Sequence, residues 1–175
     1  MPDQFSAFDS FVADLASAHP AGLRVEALHG VQVMATMAYR GTEDVAGAAL
    51  AAFARNAPGT TVLKTGPGTW LTLYEGGHPE LGDAAATFGQ GDGSALLKLH
   101  GPAAMLVLQK GFFVDLRSAL GAKDSCVCSV VAHVNVIAWN AGSDTYGVAV
   151  PRSFAGSFWH WFSSAAAAEG IRVGR

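Results

Sequence analysis

The chain has 175 residues, of which 50% are hydrophobic and only 14% charged, with a formal net charge of −3. That length suits one compact domain of up to two small lobes, and the charge excludes a nucleic-acid binder, which needs a basic footprint. Charged residues fall short of the usual quarter or so, and Ala and Gly, which bury little area each, supply much of the excess. The composition therefore points to surface covered in a complex rather than to an oversized core.

Residues 1–21 hold Asp3, Asp9 and Asp14 and neither Lys nor Arg, unlike a signal peptide with its basic start. Over residues 1–20, Phe5, Phe8, Phe11, Val12 and Leu15 share one helical face. That face packs either on the domain's own core or, as an arm, on a partner. No run of 18 apolar residues occurs, so no membrane span is expected. Cys126 and Cys128 are too few for a disulfide framework, and the cytoplasm is the expected compartment.

From Leu23 onward strands and helices alternate. Residues 31–39 read as a strand, and Thr42 as the cap of a helix with the stripe Val45, Ala46, Ala49, Leu50 and Phe53, stopped by Pro58-Gly59. Residues 60–64 and 70–74 read as strands flanking the turn Gly66-Pro67-Gly68. Residues 79–88 read as a weaker helix, followed by a flexible turn at 89–93. Residues 94–99 form a strand, and 103–110 a short apolar helix between Pro102 and Gly111, with Lys110 at its negative end. Residues 126–131, 135–139 and 145–150 form an antiparallel meander, turning at 140–144. The pattern predicts an α+β fold with mixed or antiparallel sheets. It is a single domain over 1–175, with an N-terminal arm at 1–20 and α/β units at 23–93 and 94–175.

The last element carries the strongest signal. Ser153 stands where it can cap a helix. Phe154, Phe158, Trp161, Phe162 and Ala165 then recur at helical spacing, with Trp159 on the flank of that stripe and His160 opposite. A large aromatic beside a buried stripe is an interface-anchor type. Trp159 is thus either an edge-of-core residue or an interface anchor, and the low charge content favours the anchor at a partner surface, together with Arg152, Phe5 and Phe8. Arg152, between strand end and helix start, reads as an anion or partner-carboxylate site or as a local salt bridge.

Chemistry-bearing patterns are incomplete. Gly89-x-Gly91-x-Gly93 lacks the strand-before, helix-after order of a dinucleotide loop. Cys126-x-Cys128 with His133 lacks a fourth metal ligand and the usual spacing, so the cysteines are expected as small buried residues. His19, His29, His78, His100, His133 and His160 form no helical pair. Asp115, Asp124, Asp144 and Glu169 are far apart in sequence, and no Gly-x-Ser-x-Gly elbow occurs.

Several segments together resemble the gamma subunit family of heterotetrameric sarcosine oxidase. These are Gly66-Pro67-Gly68-Thr69-Trp70-Leu71, Leu97-Lys98-Leu99-His100-Gly101-Pro102-Ala103, Lys110-Gly111 with Val114-Asp115-Leu116, Ser125-Cys126, and Val150-Pro151-Arg152-Ser153-Phe154-Ala155 with Trp159-His160-Trp161. The resemblance spans roughly residues 60–170. Departures are Phe112-Phe113, where the family more often has Cys-Pro, and His133 and Asn135, where Gly and Pro are common. The resemblance implies two side-by-side ferredoxin-like units, like the folate-binding T-protein. It implies a non-catalytic gamma subunit that binds no cofactor and no metal itself. Its partners would be alpha, beta and delta subunits carrying FAD, FMN, NAD, zinc and tetrahydrofolate. The implied reaction is oxidative demethylation of an N-methyl amine or amino acid with one-carbon transfer to tetrahydrofolate. Alternatives are a gamma-type subunit of an N-methylglutamate dehydrogenase, a stand-alone folate-binding one-carbon-transfer protein, and an independent interaction module.

Overall fold

The computed structural model describes residues 6–12 and 22–169. Two antiparallel sheets, of five and four strands, organise two compact units: residues 30–92, and residues 1–29 with 93–175.

The 30–92 unit runs β2 (Gln32–Ala38), α2 (Glu43–Asn56), β3 (Thr61–Gly66), β4 (Thr69–Tyr74) and β5 (Ala85–Gly89), with the sheet order β3-β4-β2-β5. This is the ferredoxin-like order, with the second helix reduced to the 3-10 turn Gly82–Ala84. Ala46 and Leu50 of α2 pack on Met34, Trp70, Tyr74 and Ala85, with Phe53 against the Tyr74 ring at 6.1 Å. Val45 of the expected stripe is exposed instead. Thr42 stands at the helix start, but its hydroxyl donates to the carbonyls of Tyr39 (2.8 Å) and Ala84 (2.6 Å) rather than capping. The expected helix at 79–88 is corrected to the 3-10 turn and β5. The Ala-rich stretch has no 3.6-residue period to bury, and the open edge of β2 offers its backbone a ladder, with Ala35 opposite Phe88.

The other unit contains α1 (Asp9–Val12), β1 (Arg24–Ala27), β6 (Ser94–His100), α3 (Ala103–Gln109), α4 (Leu116–Ala119), β7 (Cys126–Val131), β8 (Val134–Gly142), β9 (Thr145–Pro151) and α5 (Ala155–Ala167). Its sheet order is β1-β6-β9-β8-β7. Strands β6, β8 and β9 with helices α3 and α5 supply five of the six ferredoxin-like elements. The sixth place, beside β6, is taken by β1 from earlier in the chain, and β7 extends the far edge. β1 therefore leaves the first unit of the sequence reading and joins the second, because its partner is β6.

Register decides which faces are buried. Ala27, Leu97, Val148, Ala138 and Val127 form one apolar row across all five strands. Val107, Leu108, Phe158 and Phe162 from the helices belong to the same core. The adjacent row, Glu26, Lys98, Gly147, Trp139 and Cys126, faces the opposite way. There the Trp139 ring lies directly over Gly147, leaving no room for a Cβ.

Two-residue turns close the meander at Ala132-His133 (φ 48° and 65°) and Ser143-Asp144 (φ 33° and 51°). All four take left-handed backbone, as tight hairpins require. The second turn is thus shorter than expected, since β8 runs on to Gly142.

Candidate functional site

The aromatic helix α5 is entered through the 3-10 turn Arg152–Phe154, and its first helical residue is Ala155. Ser153 falls inside that turn, so the expected serine cap is not made, and the cap position passes to Phe154 without a side-chain bond. The buried face is Ala155, Phe158, Trp159, Phe162, Ala165 and Ala166. It is rotated from the expected stripe, leaving Phe154 48% exposed. Trp161 is half-buried against Gly111 and Val131. Lys110 secures the far end of α5, donating to the Ala165 carbonyl (3.3 Å) and pairing with Glu169.

The rotation changes the reading of the expected interface residues. Trp159 is 4% exposed, stacked on Phe11 at 5.9 Å and close to Phe8 (6.3 Å) and Phe162 (5.7 Å). Its expected place on an exposed flank is therefore corrected to the core. The reason is the N-terminal segment, where Phe8, just before α1, and Phe11 within it cover the side of α5 that local periodicity leaves open. Phe8 is fully buried, edge-on to Phe158 at 6.3 Å, so of the two readings of the N-terminal helix, the described part follows the core one. The Trp159 indole N–H is buried with no partner among the described residues. Arg152 is half-buried in the 3-10 turn. Phe5 and Leu15 lie outside the described residues.

The polar inventory resolves into small structural groups. His100 Nε2 lies 3.2 Å from Glu26 and its Nδ1 lies 3.3 Å from the Thr145 hydroxyl, and His29 meets Asp9 at 3.0 Å. Among the described residues, no group of three or more His, Cys, Asp or Glu is placed to hold a metal. The expected glycine turn 89–93 begins on the last residue of β5, Gly89, and passes through the 3-10 turn Gly91–Gly93 into β6. No helix among the described residues is long and apolar enough to cross a membrane.

Cys126 and Cys128 are thiols on the outer face of β7, an edge strand. Cys126 is part-buried and Cys128 exposed, which corrects the expectation that both are buried. Burial, with a smaller contribution from Cys128, pushes the Cys126 thiol up to about 11, and burial also raises that of Cys128. Since the thiolate is the nucleophile, alkylation by iodoacetamide should be slow at neutral pH despite the exposure of Cys128. The rate at Cys126 should still be rising near pH 11. Mass spectrometry of each site against pH checks this, and rapid alkylation at pH 7 contradicts it.

Asp124 has left-handed backbone (φ 63°), and its Oδ1 is buried with no partner among the described residues. Burial raises its carboxyl above the usual range, with Lys123 pulling the other way. A raised carboxyl favours the protonated form in the fold, so ionisation weakens the fold as pH climbs through the raised value. Asp124→Asn, a residue that tolerates this backbone, should raise Tm at pH 7. That gain should vanish below about pH 4, where the aspartate is protonated in both states. A gain equally large in acid would contradict the argument.

A surface groove of 540 Å³ lies along α3 and the loop to α4. Phe113 stands at its edge, 97% exposed. Sequence reading noted Phe112-Phe113 only as a departure from a family pattern. The signal available was that two adjacent Phe in a six-residue connection cannot readily both face one core.

Residues 77–169, just over half of the chain, match the model of the sarcosine oxidase, gamma subunit family. The chain belongs to this family. Every resembling segment from Leu97 onward lies within that stretch, while the Gly66–Leu71 hairpin precedes it. This gamma-family chain is 29% identical over 115 residues to the sarcosine oxidase subunit gamma of Corynebacterium sp. (strain P-1), across 61% of this chain and 57% of that one. It is 31% identical over 106 residues to the Arthrobacter sp. protein of the same name, across 56% and 52%. The match thus spans little more than half the length of these curated relatives.

By fold, it matches a chain of the heterotetrameric sarcosine oxidase from Corynebacterium sp. U-96, solved in complex with pyrrole 2-carboxylate. The TM-score is 0.76 at 23% identity, covering 94% of this chain and 95% of that one. The glycine cleavage system aminomethyltransferase T from Bartonella henselae shares the fold at TM-score 0.56 and 14% identity, across 88% of this chain and 48% of that one. The fold is therefore the T-protein-like α+β arrangement that the sequence resemblance implied.

Proposed function

We propose that this chain is the gamma subunit of a heterotetrameric, flavin-dependent sarcosine oxidase-like complex in the cytoplasm. Its role there is assembly rather than catalysis. The observation that carries the reading is the family match over residues 77–169. Three titratable side chains add support by serving structure: Lys110 holds α5, His100 pairs with Glu26, and Asp115 caps the start of α4. The partners are alpha, beta and delta subunits. They carry FAD, FMN, NAD, zinc and tetrahydrofolate and demethylate sarcosine or a related N-methyl amino acid such as N-methylglutamate. Co-expression with candidate alpha, beta and delta chains tests the assignment. The expected product is a yellow complex that retains this chain through gel filtration. A complex that assembles and turns over without it would overturn the assignment.

A second reading, a stand-alone folate-binding protein, draws on the fold shared with aminomethyltransferase T. Titration of the isolated chain with tetrahydrofolate separates the two. Stoichiometric binding favours the second reading, and no binding together with retention in the complex favours the first.

A further inference from the structure

A cavity of 300 Å³ opens where the first turn of α3, the residues after α4 and the β8–β9 turn come together. Hydrogen bonds tie its walls to one another. The Asn140 amide donates to the Leu120 carbonyl (2.7 Å), and its Oδ1 accepts from the Gly142 N–H (2.7 Å). The Gly101 N–H, at the entry to α3, donates to the Asp144 carbonyl (2.9 Å). Met105 and Tyr146 also line the cavity and are packed against the core. The cavity is therefore pre-formed, as small-ligand sites usually are.

Of the residues that line it, only Arg117 and Asp144 are charged, and their signs are opposite. Asp115 lines the 540 Å³ groove but not this cavity. Neither the Arg117 guanidinium nor the Asp144 carboxylate has an ion-pair or hydrogen-bond partner among the described residues, and the two do not pair with each other. The Tyr146 hydroxyl is likewise without a partner among the described residues. Two opposite charges that share a cavity without closing on each other leave room for a molecule carrying the complementary pair.

We infer that this cavity binds a small α-amino acid as its zwitterion, with the carboxylate on Arg117 and the ammonium on Asp144. A guanidinium takes a carboxylate through two parallel N–H···O bonds, and an ammonium N–H donates to the Asp144 carboxylate. The Tyr146 hydroxyl supplies a third polar contact. Met105 and Leu120 form an apolar wall for a short side chain or an N-methyl group. The volume stands at the lower end of small-molecule sites, about 300–1,000 Å³, which suits a ligand of few atoms. A lone anion would meet the charge of Asp144, and a lone amine that of Arg117, so the pair of charges selects the zwitterion over either half. The site goes beyond the assembly role proposed above and stands on this chain's own residues.

The test titrates the full chain at neutral pH with glycine and with N-methylglycine, followed by nuclear magnetic resonance, alongside Arg117→Gln and Asp144→Asn. Saturable shifts are expected at the backbone amides of Gly121 and Asp144. Both variants should keep the wild-type Tm, because Arg117 is exposed and asparagine tolerates the left-handed backbone at 144. Each should weaken binding by about 10-fold or more, the loss of one hydrogen bond to a charged group. Acetate and methylammonium, the two halves of the ligand, should each bind about 10-fold or more weakly than glycine for the same reason. No saturable response to either amino acid overturns the site. Acetate bound as tightly as glycine overturns the zwitterion. Wild-type affinity in both variants overturns this cavity as the place of binding. None of these results touches the gamma assignment, which co-expression decides.

Discussion

Trp159→Ala should lower the unfolding free energy by about 3–5 kcal/mol, as loss of a buried large aromatic does when its site cannot collapse. The site is rigid because Phe8 and Phe11 come from the segment at α1 while Phe162 comes from α5 itself, so removing the indole opens a gap between that segment and α5. A more conservative variant separates packing from polarity. Trp159→Phe keeps an aromatic in the stack and removes the indole N–H, which is buried without a partner among the described residues. Leaving such a group unsatisfied costs about 1–3 kcal/mol, which offsets part of the lost volume, so Trp159→Phe should be far milder than Trp159→Ala. Urea unfolding of the free chain measures both. An unchanged midpoint for Trp159→Ala would mean that α1 does not cover this helix in solution.

Gly147→Ala should be almost as damaging, by about 3 kcal/mol or more, for the opposite reason. A Cβ there would fall inside the volume of the Trp139 indole, which is itself buried. Overpacking a fixed ring forces rotamer and backbone shifts. Space, not chemistry, is the cause, so making room should rescue. Trp139→Leu alone should destabilise, yet Gly147→Ala combined with Trp139→Leu should be less destabilised than the two single changes add up to. Strict additivity in that cycle would remove steric conflict as the explanation.

Where a segment's fate was set by its own pattern, the chain could be read directly. The β3–β4 hairpin, the β7–β9 meander, α2 and α3 follow from local alternation, helical spacing and turn residues. The misreadings share a different origin, a distant partner. Residues 85–89 look helical because alanines are good helix formers, and only the open edge of β2 makes them a strand. Trp159 looks peripheral on its own helix and becomes central once Phe8 and Phe11 arrive from nearly 150 residues earlier. Thr42 and Ser153 are good capping residues by type. Yet the Thr42 hydroxyl finds better acceptors at Tyr39 and Ala84, and Ser153 is taken into a 3-10 turn. Phe113 escaped notice because exposure belongs to the folded loop, not to the residue.

The pairing of β1 with β6 also sets a timetable for synthesis. Ala27 and Leu97 face each other across the ladder, seventy positions apart in the chain. At about 5–20 residues per second on the ribosome, β1 waits roughly 4–14 s for its neighbour. Throughout that interval it is a nascent strand with bare amides, open to pairing with other chains. Its sequence is suited to the wait: Arg24 and Glu26 alternate with Val25 and Ala27, so one face of a short strand stays charged and wet until β6 emerges. The intervening residues 30–92 hold all four strands of their own sheet. They can therefore complete their ladder first, and the five-stranded sheet can only close after them.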